Sequence, residues 1–490
     1  MSRARRLFAE GWWKMKLKVV SGIMLTLLLI GMLTWAFNTQ LVKAGPKIIR
    51  VPTDYPTIQE AINVADPGDI VFVYNGTYYE HVVVNKTVSL VGENRETTII
   101  DGNDAGIVVT VTAKNTFVCN FTVQNAGYGF IVRSSDSNYI LNNTIILNER
   151  GIHLQSSKNN TISSNTIENN IDGIYLDALS ENNTIRENTL VNMYGGMVIL
   201  GNSNKLVKNI VLNNGSHFPL NYGIRLGHSY NNILRDNNMT GNDENFDLTG
   251  SKLHDFIHDV DESNLVNEKP IYYWVNQHDK QIPLDAGYVA VVNSTNIAVK
   301  DIELSKNGQG VFFAYTNDSS IENVVASNNW IGLELYCSSN NVISGNKITN
   351  NKIGVHLYGY ADNNRIYHNN FIDNKVQAYI DEFSSNNTWD NGFEGNYWSD
   401  YVGADLDGDG IGDTFLPHQG VDNYPLMSPY MEGDANHDAI VDIVDGVIIG
   451  VGFGTEPSDP KWNPHADLNE DKTIDIRDIV IWGLHFGETW

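Results

Sequence analysis

A glycine followed by an apolar, a variable and another apolar residue recurs along most of the chain. Successive copies lie 22 or 23 residues apart in most cases, with one interval of 27 and one of 64. The copies begin at Gly129, Gly151, Gly173, Gly196, Gly223, Gly287, Gly310, Gly332 and Gly354. A fixed period of this length indicates a repeat protein in which each period forms one structural unit.

Each period contains three short alternating apolar steps and no helical spacing, which predicts one turn of a right-handed parallel β-helix. We therefore predict an all-β fold, a solenoid with about 13 coils of ~22 residues between Gly106 and Ala378. Because 64 is close to three periods, the winding is expected to continue between Gly223 and Gly287. Inward-facing positions are predicted to include Ile152, Leu154, Ile174, Leu176, Val355 and Leu357.

Paired asparagines mark the bends between the predicted strands. The pairs begin at Asn142, Asn159, Asn182, Asn231, Asn340, Asn363 and Asn386. Asparagine tolerates left-handed backbone angles, and stacked asparagine side chains can hydrogen-bond along the solenoid axis. We interpret these residues as structural and not as ligand sites.

Two segments depart from the repeat. Residues 55–62 predict a short helix with Thr57 as its N-cap, which can cover the open N-terminal end of the solenoid. Residues 249–285 interrupt the period and concentrate charged and aromatic side chains. We expect this second segment to be an insertion that forms a side loop.

Residues 1–44 are predicted to be a signal peptide or a membrane anchor. Basic residues precede an uncharged run from Val19 to Phe37, and residues 42–44 offer small side chains for cleavage. The run is close to the length that spans a bilayer, so an uncleaved anchor is the alternative to a cleaved signal. In both cases we expect an exported protein, extracellular or at the cell surface, that contacts the membrane only through this segment.

Composition narrows the classes of partner. The chain has 32 basic and 58 acidic residues, a formal net charge of −26 that repels phosphate backbones. Nucleic-acid binding is therefore excluded. The two cysteines, Cys119 and Cys337, are too few for a disulfide framework or a zinc–thiolate site, and both are predicted to be buried free thiols.

The segment 431–490 is predicted to be a small helical domain with two calcium loops. Its halves repeat at an offset of 33 residues, and each places oxygen ligands at loop positions 1, 3, 5, 7, 9 and 12. The ligands are Asp434, Asn436, Asp438, Ile440 (backbone carbonyl), Asp442 and Asp445, then Asp467, Asn469, Asp471, Thr473 (backbone carbonyl), Asp475 and Asp478. A third string, Asp405, Asp407, Asp409 and Asp413, is a further candidate calcium site. We expect the domain to fold only with calcium bound.

Three stretches of the chain resemble the NosD-like parallel β-helix proteins, which are also grouped as carbohydrate-binding and sugar-hydrolase domains. The stretches are VPTDYPTIQEAINVADPGDIVFV, HDVDESNLVNEKPIYYWVNQ and GNYWSDYVGADLDGDGIGDTFLP. The resemblance begins at residue 48 and implies a β-helix domain over residues 45–430, of a type common in archaeal surface proteins. The group includes a copper-site maturation factor and polysaccharide-active proteins, so it implies a fold more specifically than an activity.

The two calcium loops, each followed by a helix, resemble a type I dockerin, a module that docks onto a cohesin domain of another protein. The resemblance implies a cohesin-type partner and calcium as the cofactor. The chain departs from the common pattern at loop position 6, where Ala439 and Lys472 replace glycine. It also departs at recognition positions 10 and 11, which are Ile443 and Val444 in one half and Ile476 and Arg477 in the other.

Outward positions of the last coils predict an acidic and aromatic ladder made of Glu334, Tyr336, His356, Tyr358, Tyr379 and Asp381. Neighbouring rungs of a sheet are ~5 Å apart, so tyrosine rings on them offer a surface for sugar rings. We predict that a polysaccharide or a glycoprotein glycan binds there. Glu334 and Asp381 are the acid and base candidates if the protein is hydrolytic. Ordinary solvent-facing side chains are the alternative interpretation.

Three functions remain open from the sequence. The favoured one is a glycan-binding surface protein tethered through a dockerin. The second is a polysaccharide hydrolase or lyase, although neither a paired-Asp polygalacturonase signature nor the basic cluster of lyases is evident. The third is copper delivery of the periplasmic type, through His254 and His258 with Asp255 and Asp259 as ligands.

Overall fold

The computed structural model describes residues 45–213 and 222–490. Over these residues the chain forms an all-β parallel β-solenoid of about 15 turns with few helices, which confirms the predicted fold class. Residues 1–44, predicted to be a signal peptide or a membrane anchor, lie outside the described residues. No helix within the described ranges is long and apolar enough to cross a membrane.

The first solenoid begins with a capping helix, α1 (Ile58–Val64), as the sequence predicts. The Thr57 hydroxyl accepts a hydrogen bond from the Glu60 backbone N–H at 3.2 Å and so caps the helix. The strands of this solenoid are β1 (Ile48–Val51), β2 (Ile70–Val73), β3 (Gly76–Tyr79), β4 (Val82–Val84), β5 (Ser89–Gly92), β6 (Thr98–Asp101), β7 (Ile107–Val111), β8 (Phe117–Cys119), β9 (Thr122–Arg133), β10 (Tyr139–Leu141), β11 (Thr144–Gln155), β12 (Thr161–Ser163), β13 (Thr166–Glu168), β14 (Asp172–Leu176), β15 (Thr184–Arg186), β16 (Thr189–Val191), β17 (Gly195–Ile199), β18 (Lys205–Val207), β19 (Ile210–Leu212), β20 (Tyr222–Gly227), β21 (Ile233–Arg235), β22 (Asn238–Thr240), β23 (Glu244–Thr249), β24 (Asp259–Val260) and β25 (Leu265–Val266). Ten of them form one sheet in the order β1-β2-β5-β8-β10-β12-β15-β18-β21-β24.

The second solenoid has three stacks of parallel strands. The strands are β26 (Lys269–Val275), β27 (His278–Gln281), β28 (Tyr288–Val292), β29 (Thr295–Lys300), β30 (Glu303–Ser305), β31 (Gln309–Ala314), β32 (Ser320–Glu322), β33 (Val325–Ser327), β34 (Ile331–Tyr336), β35 (Val342–Ser344), β36 (Lys347–Thr349), β37 (Ile353–Tyr358), β38 (Arg365–Tyr367), β39 (Asn370–Ile372), β40 (Val376–Ile380) and β41 (Tyr397–Trp398). Two five-stranded sheets run β27-β29-β32-β35-β38 and β30-β33-β36-β39-β41. The third stack pairs β26, β28, β31, β34, β37 and β40 in that order.

Coils continue between Gly223 and Gly287, as predicted, because β20 to β27 occupy this interval, but the sheets are interrupted between the two solenoids. The ten-stranded sheet ends at β24, and the two five-stranded sheets start afresh at β27 and β30. Strands β25 and β26 pair antiparallel, with Leu265 opposite Pro270, and this reversal separates the two stacks. Strands β28 and β31 are buried on both faces, so their sequences are continuous apolar runs that carry no alternation to reveal the break.

Residues 249–285 do not form the predicted side loop. They supply β24 and β25 of the first solenoid and β26 and β27 of the second, together with a short 3-10 helix, Leu253–Phe256. Phe256 packs on Phe312 and Tyr336 of the second solenoid, with ring centroids 5.1 and 5.4 Å apart. The concentration of aromatic residues that suggested a functional insertion therefore reflects packing between two solenoids.

The two asparagines of each pair have different structural roles. The first asparagine of every pair has a left-handed backbone, as the sequence predicts. The second is buried in every pair except the last, where Asn387 is half-buried, and in most pairs it stacks on an asparagine of the next coil. Asn183 is typical, because its amide nitrogen donates to Asn204 Oδ1 at 3.1 Å and to the Ser157 carbonyl at 3.0 Å. Its own oxygen accepts from the backbone N–H and the amide of Asn160.

The interior of the solenoid agrees with the predicted pattern. All six predicted inward positions, Ile152, Leu154, Ile174, Leu176, Val355 and Leu357, are fully buried. Cys119 is a buried free thiol, which confirms that prediction. Cys337 is also free but only half-buried, because it lies in a bend with a left-handed backbone and not inside a strand.

The C-terminal module, residues 431–490, contains helices α2 (Ile443–Gly452) and α3 (Ile476–His485) and a 3-10 turn, Pro464–Ala466. Its small core consists of Ala435, Ile449, Ala466 and Ile474. Ile448 packs on this core, whereas Val447 and Val480 lie outside it, because their side chains are 58% and 53% exposed.

Candidate functional site

Three acidic loops share one pattern of hydrogen bonds: loop 1 (residues 434–445), loop 2 (467–478) and loop 3 (405–416). The carboxylate at position 1 accepts from the backbone N–H at position 6, which joins Asp434 to Ala439 at 2.8 Å, Asp467 to Lys472 at 2.8 Å and Asp405 to Gly410 at 2.9 Å. The carboxylate at position 5 accepts from the N–H at position 7 at 3.0, 3.0 and 2.9 Å. The same turn therefore occurs three times at the ligand spacing of an oxygen-liganded calcium site.

Positions 4 and 6 have a left-handed backbone in every one of these loops. The φ angles are 57° and 67° at His437 and Ala439, 56° and 68° at Glu470 and Lys472, and 82° and 85° at Gly408 and Gly410. Glycine adopts this conformation freely, whereas alanine and lysine adopt it at a cost. The departure from glycine at position 6 in loops 1 and 2 thus preserves the loop shape and adds strain.

The closing aspartates of loops 1 and 2 are fully buried and tie each loop to its helix. Asp445 accepts from the backbone N–H groups of Asn436 and Asp442, at 3.2 and 2.8 Å. Asp478 accepts from Asn469 and Asp475 at 3.2 and 2.7 Å. This matched pair of contacts brings position 12 back to position 3, which closes each loop into a pocket.

The position-9 aspartates serve as helix N-caps. Asp442 accepts from the Val444 backbone N–H at 2.7 Å, and Asp475 accepts from Arg477 at 2.7 Å. The Arg477 guanidinium also pairs with Asp475 and with Asp471. In calcium loops position 9 often reaches the ion through a water molecule, which is compatible with side chains held at the helix start.

The carboxylates of these loops are electrostatically unfavourable to one another. Burial raises the pKa of Asp434, of Asp445 and of Asp467 above the ordinary aspartate value. Neighbouring aspartates raise them further; Asp445 acts in this way on Asp434. A divalent cation among these oxygens would reverse the sign of that interaction.

Loop 3 brings carboxylate oxygens of Asp405, Asp407 and Asp413 within 4.8 Å of one another. Backbone N–H donors at Gly410 and Gly408 lower the pKa of Asp405, whereas the Asp409 charge raises the pKa of Asp407. The loop lacks a closing carboxylate, because Leu416 occupies position 12. It therefore offers fewer protein ligands than loops 1 and 2.

Helices α2 and α3 expose equivalent apolar stripes. The exposed residues are Ile443, Val447 and Val451 on α2, and Ile476, Val480 and Leu484 on α3. Each stripe has the spacing i, i+4, i+8, and the two are related by the same 33-residue offset as the loops. Monomeric proteins seldom duplicate an exposed apolar stripe, so this surface is a candidate for contact with another protein.

The aromatic ladder has the predicted register but not the predicted exposure. Tyr336 pairs with Tyr358 in one row, and Glu334, His356 and Tyr379 follow one another in the next. Tyr358 and Tyr379 are 37% and 51% exposed, but Tyr336 is only 7% exposed. The Tyr336 hydroxyl donates to the Ser251 carbonyl at 2.6 Å. The segment between β23 and the 3-10 helix Leu253–Phe256, which contains Ser251, therefore covers Tyr336. Tyr336 is therefore unavailable as a stacking surface.

The two acidic members of the ladder have local partners. Glu334 is buried, and its carboxylate lies 3.1 Å from His356 Nδ1. Asp381 accepts from the Gly359 backbone N–H at 2.7 Å and from Phe383 at 3.2 Å. Burial alone would raise the pKa of Asp381, but donors from Ser384, Gly359 and Phe383 outweigh it and lower that pKa. Asp381 is thus an ionised acceptor that holds a turn.

The four predicted copper ligands do not converge. His258 ends an asparagine ladder, because its Nδ1 accepts from the Asn232 backbone N–H at 3.3 Å. Burial lowers the pKa of His258 to about 4. His254 lies 3.1 Å from Asp255, and Asp259 pairs with Arg235. The four predicted copper ligands therefore form no common site: His254 and Asp255 contact each other, whereas His258 and Asp259 have other partners.

One cluster that sequence reasoning missed lies where the second solenoid meets the C-terminal module. Glu394, His437 and His465 place one ligand atom each within 4.8 Å of the others. His368 contacts the same glutamate, with Nε2 2.6 Å from Glu394 Oε2. Separations of 28 and 71 residues between members leave no local motif to detect.

Two family models match this chain, and they fall on different solenoids. Residues 276–403 match the family described as periplasmic copper-binding protein (NosD). Residues 87–239 match the family described as right handed beta helix region. Together they support a NosD-like right-handed β-helix, as the sequence resemblance implied.

Curated relatives are similar over about a quarter of their length. The chain is 36% identical over 123 residues to the "Probable ABC transporter binding protein NosD" of Pseudomonas aeruginosa, which covers 25% of this chain and 27% of that protein. It is 32% identical over 114 residues to the protein of the same description from Stutzerimonas stutzeri, covering 23% and 26%.

Solved structures share the solenoid at low identity. The catalytic domain of a GH87 alpha-1,3-glucanase in complex with nigerose is 14% identical, covers 72% of this chain and 69% of its own, and has a TM-score of 0.34. The A-module of the Azotobacter vinelandii mannuronan C-5 epimerase AlgE4 is 16% identical, covers 71% and 97%, and has a TM-score of 0.31. At this similarity neither structure bears on the substrate of this chain.

Proposed function

We propose that this NosD-like right-handed β-helix protein is exported and acts outside the cell or at its surface. In this proposal its C-terminal module binds calcium and docks onto a cohesin-type domain of another protein, and its second solenoid binds a polysaccharide or glycoprotein glycan. The observation that carries the proposal is the loop turn that recurs in loops 1, 2 and 3 with the same hydrogen bonds. The periplasmic description of the matching family supports export.

Each of loops 1 and 2 would hold one calcium ion. Side-chain oxygens at positions 1, 3, 5 and 12 and the carbonyl at position 7 would bind the ion directly, with position 9 acting through water. Hard oxygen donors without nitrogen or sulfur suit calcium better than a transition metal. Loop 3 would bind more weakly, because it lacks the closing carboxylate.

Calorimetry on a chain of residues 45–490 tests calcium binding. We expect two tight sites, one of which is lost in Asp434→Ala and the other in Asp467→Ala. Glu456→Ala is the matched control, because Glu456 is an exposed acidic residue of the same module outside the loops. Absence of calcium uptake by the unmodified chain would end the dockerin proposal.

The docking surface in this proposal is the pair of apolar stripes on α2 and α3. Calcium would fix the two helices through Asp445 and Asp478, which join each loop to its helix. We expect a cohesin-type domain to be retained in calcium and released by chelator. Val447→Asp with Val480→Asp should abolish retention at unchanged calcium content, whereas Val402→Asp, at an exposed valine outside the module, should not.

The glycan surface in this proposal consists of the exposed Tyr358 and Tyr379 with the half-buried His356. The centroid of the His356 ring lies 5.2 Å from that of Tyr358 and 5.2 Å from that of Tyr379. Sugar rings can stack on aromatic side chains at this spacing. Tyr358→Ala should weaken glycan retention in affinity electrophoresis roughly tenfold, the worth of one aromatic contact. Tyr139→Ala is the control, because Tyr139 is equally exposed, at 37%, on another sheet. Unchanged retention in Tyr358→Ala would refute the ladder as the binding surface.

A polysaccharide hydrolase or lyase is the alternative function, with Glu334 and Asp381 as acid and base. The contacts of both carboxylates with the protein make this weaker than glycan binding without catalysis. Depolymerisation of a retained glycan that is lost in Glu334→Gln would decide in favour of the enzyme.

A further inference from the structure

The cluster at the end of the second solenoid, called the junction cluster, consists of Glu394, His437, His465 and His368. Glu394 precedes β41, and His368 lies between β38 and β39, so both belong to the solenoid. His437 is position 4 of loop 1, and His465 lies in the 3-10 turn just before loop 2. Four nitrogen- and oxygen-bearing side chains thus meet from three separate parts of the chain.

The donor atoms of the cluster have the spacing of ligands around one ion. Glu394 Oε1 lies 3.2 Å from His437 Nε2, which lies 3.3 Å from His465 Nδ1. His465 Nδ1 also contacts Glu394 Oε1 directly. Ligands at ~2.0–2.1 Å from a tetrahedral zinc ion are ~3.3 Å from one another. Two of the three observed separations therefore match the edges of a coordination shell, whereas His465 Nδ1 and Glu394 Oε1 are closer than such an edge.

Burial keeps the cluster away from solvent. Glu394 and His437 are 6% and 7% exposed. Without an ion, His437 Nε2 and His465 Nδ1 can both carry a proton and donate to Glu394 Oε1, which fixes the tautomers of both imidazoles. A single cation would instead accept a lone pair from each of the three atoms.

The surroundings of Glu394 orient it as a ligand. His368 Nε2 lies 2.6 Å from the second carboxylate oxygen, and the His368 ring stacks on Tyr430 with centroids 4.1 Å apart. The Glu394 backbone N–H donates to Asn391 Oδ1 at 2.8 Å. Partners that fix a ligating group in this way are typical of metal sites.

We propose that Glu394, His437 and His465 bind one divalent transition-metal ion, that His368 positions Glu394, and that the ion fastens the C-terminal module to the solenoid. Two imidazoles and one carboxylate suit zinc or copper(II) and not calcium, which prefers oxygen alone. The site differs from loops 1 to 3 in ligand type. His437 and His465 also lie outside residues 276–403, the part matched to the NosD family.

The test uses untagged residues 45–490 saturated with calcium and dialysed against Zn²⁺, with zinc and calcium measured in the same samples by mass spectrometry. We expect one zinc ion per chain, and its loss in Glu394→Gln and in His465→Gln at unchanged calcium content. His368→Gln should weaken zinc binding roughly 10- to 100-fold, as loss of an orienting partner does. His485→Gln, at a histidine of the same module outside the cluster, should bind zinc normally.

Electron paramagnetic resonance with Cu²⁺ supplies a second readout. The unmodified chain should show hyperfine coupling to two imidazole nitrogens, and His437→Asn should show one. Asparagine is the chosen substitute because it tolerates the left-handed backbone at position 437. If His437→Asn loses calcium as well, Glu394→Gln decides, because Glu394 lies outside the calcium loops.

Two outcomes would overturn the proposal: an unmodified chain that retains no zinc, or a Glu394→Gln/His465→Gln chain that retains the unmodified amount. Calcium uptake is recorded independently, so a failure of the calcium proposal would be visible as low calcium and would not be mistaken for a failure of the junction site.

Discussion

The solenoid and the C-terminal module both repeat a short unit and both bury polar side chains, but the chemistry of those side chains differs. In the solenoid the buried residues are asparagines, such as Asn183 between Asn160 and Asn204. In the module they are aspartates, such as Asp445 and Asp478. An amide both donates and accepts, so each copy satisfies the next. A carboxylate only accepts, so stacked copies repel and need a cation.

This contrast teaches where stability comes from in each region. Asparagine ladders close within the protein, and every added coil supplies the partners of the preceding one. The module has a four-residue core and paired acidic loops. A core of that size contributes little, so under the calcium proposal the free energy of calcium binding would be the main source of its folding free energy. We therefore expect chelation to unfold the module and to leave the solenoid folded.

The largest expected effect is the loss of the module without calcium. In excess chelator, residues 45–490 should lose the helical circular-dichroism signal of α2 and α3 while the solenoid keeps its β signal. Limited proteolysis should then cut within residues 431–490 and leave a resistant solenoid. Asp434→Ala with Asp467→Ala should behave like chelator even in calcium. Identical helix content with and without calcium would contradict the comparison.

Glu244 in β23 sharpens the comparison, because it is one of several buried carboxylates of the solenoid outside the acidic loops. Burial, and then the charge of Asp247, raise the pKa of Glu244 to about 8. The folded state therefore holds a proton that the unfolded state releases near pH 4.3. Between these two values the free energy of unfolding should fall by roughly 1.4 kcal/mol per pH unit, on the order of 5 kcal/mol in all.

Urea unfolding of residues 45–490 between pH 5 and 8 measures this slope. Glu244→Gln should flatten it, because glutamine does not titrate. Glu187→Gln, at an exposed glutamate of the same solenoid, should leave the slope unchanged. Equal slopes in the two variants would show that Glu244 does not titrate across this range.

The sequence predicts a region well when the interactions of that region are between residues that are close together or periodic in the chain. The asparagine pairs, the inward positions and the loop ligand spacing are local or periodic, so they are visible in the chain. The break after β24 is not, because β28 and β31 are apolar on both faces. Tyr336 was expected outside, but a segment 85 residues away supplies its cover. The junction cluster brings together residues that are far apart in the sequence, so it depends on the tertiary fold and no residue spacing predicts it.

A smaller effect is expected from breaking one ladder rung. Asn183→Ala removes the acceptor of Asn160 and the donor to the Ser157 carbonyl, and leaves these buried groups without partners. We expect a loss of about 3 kcal/mol in the free energy of unfolding. Asn182→Gly is the matched control, because Asn182 contributes its left-handed backbone (φ 56°), which glycine adopts freely. A loss as large in Asn182→Gly would show that the pair does not divide its tasks.

The smallest predicted effect returns to the module, where loops 1 and 2 keep a glycine conformation without glycine. Ala439 and Lys472 have φ angles of 67° and 68° at position 6. Ala439→Gly or Lys472→Gly should relieve that strain, and the higher entropy of glycine in the unfolded chain should offset part of the gain, which leaves a net stabilisation of the calcium-bound module of about 0.5–1 kcal/mol each. Thermal unfolding of residues 45–490 in calcium should show a higher midpoint for the helical signal. Ala435→Gly, in the same loop but without a left-handed backbone, should lower it. If all three substitutions lower the midpoint, the backbone at position 6 is not strained, and the two loops tolerate larger side chains for a different reason.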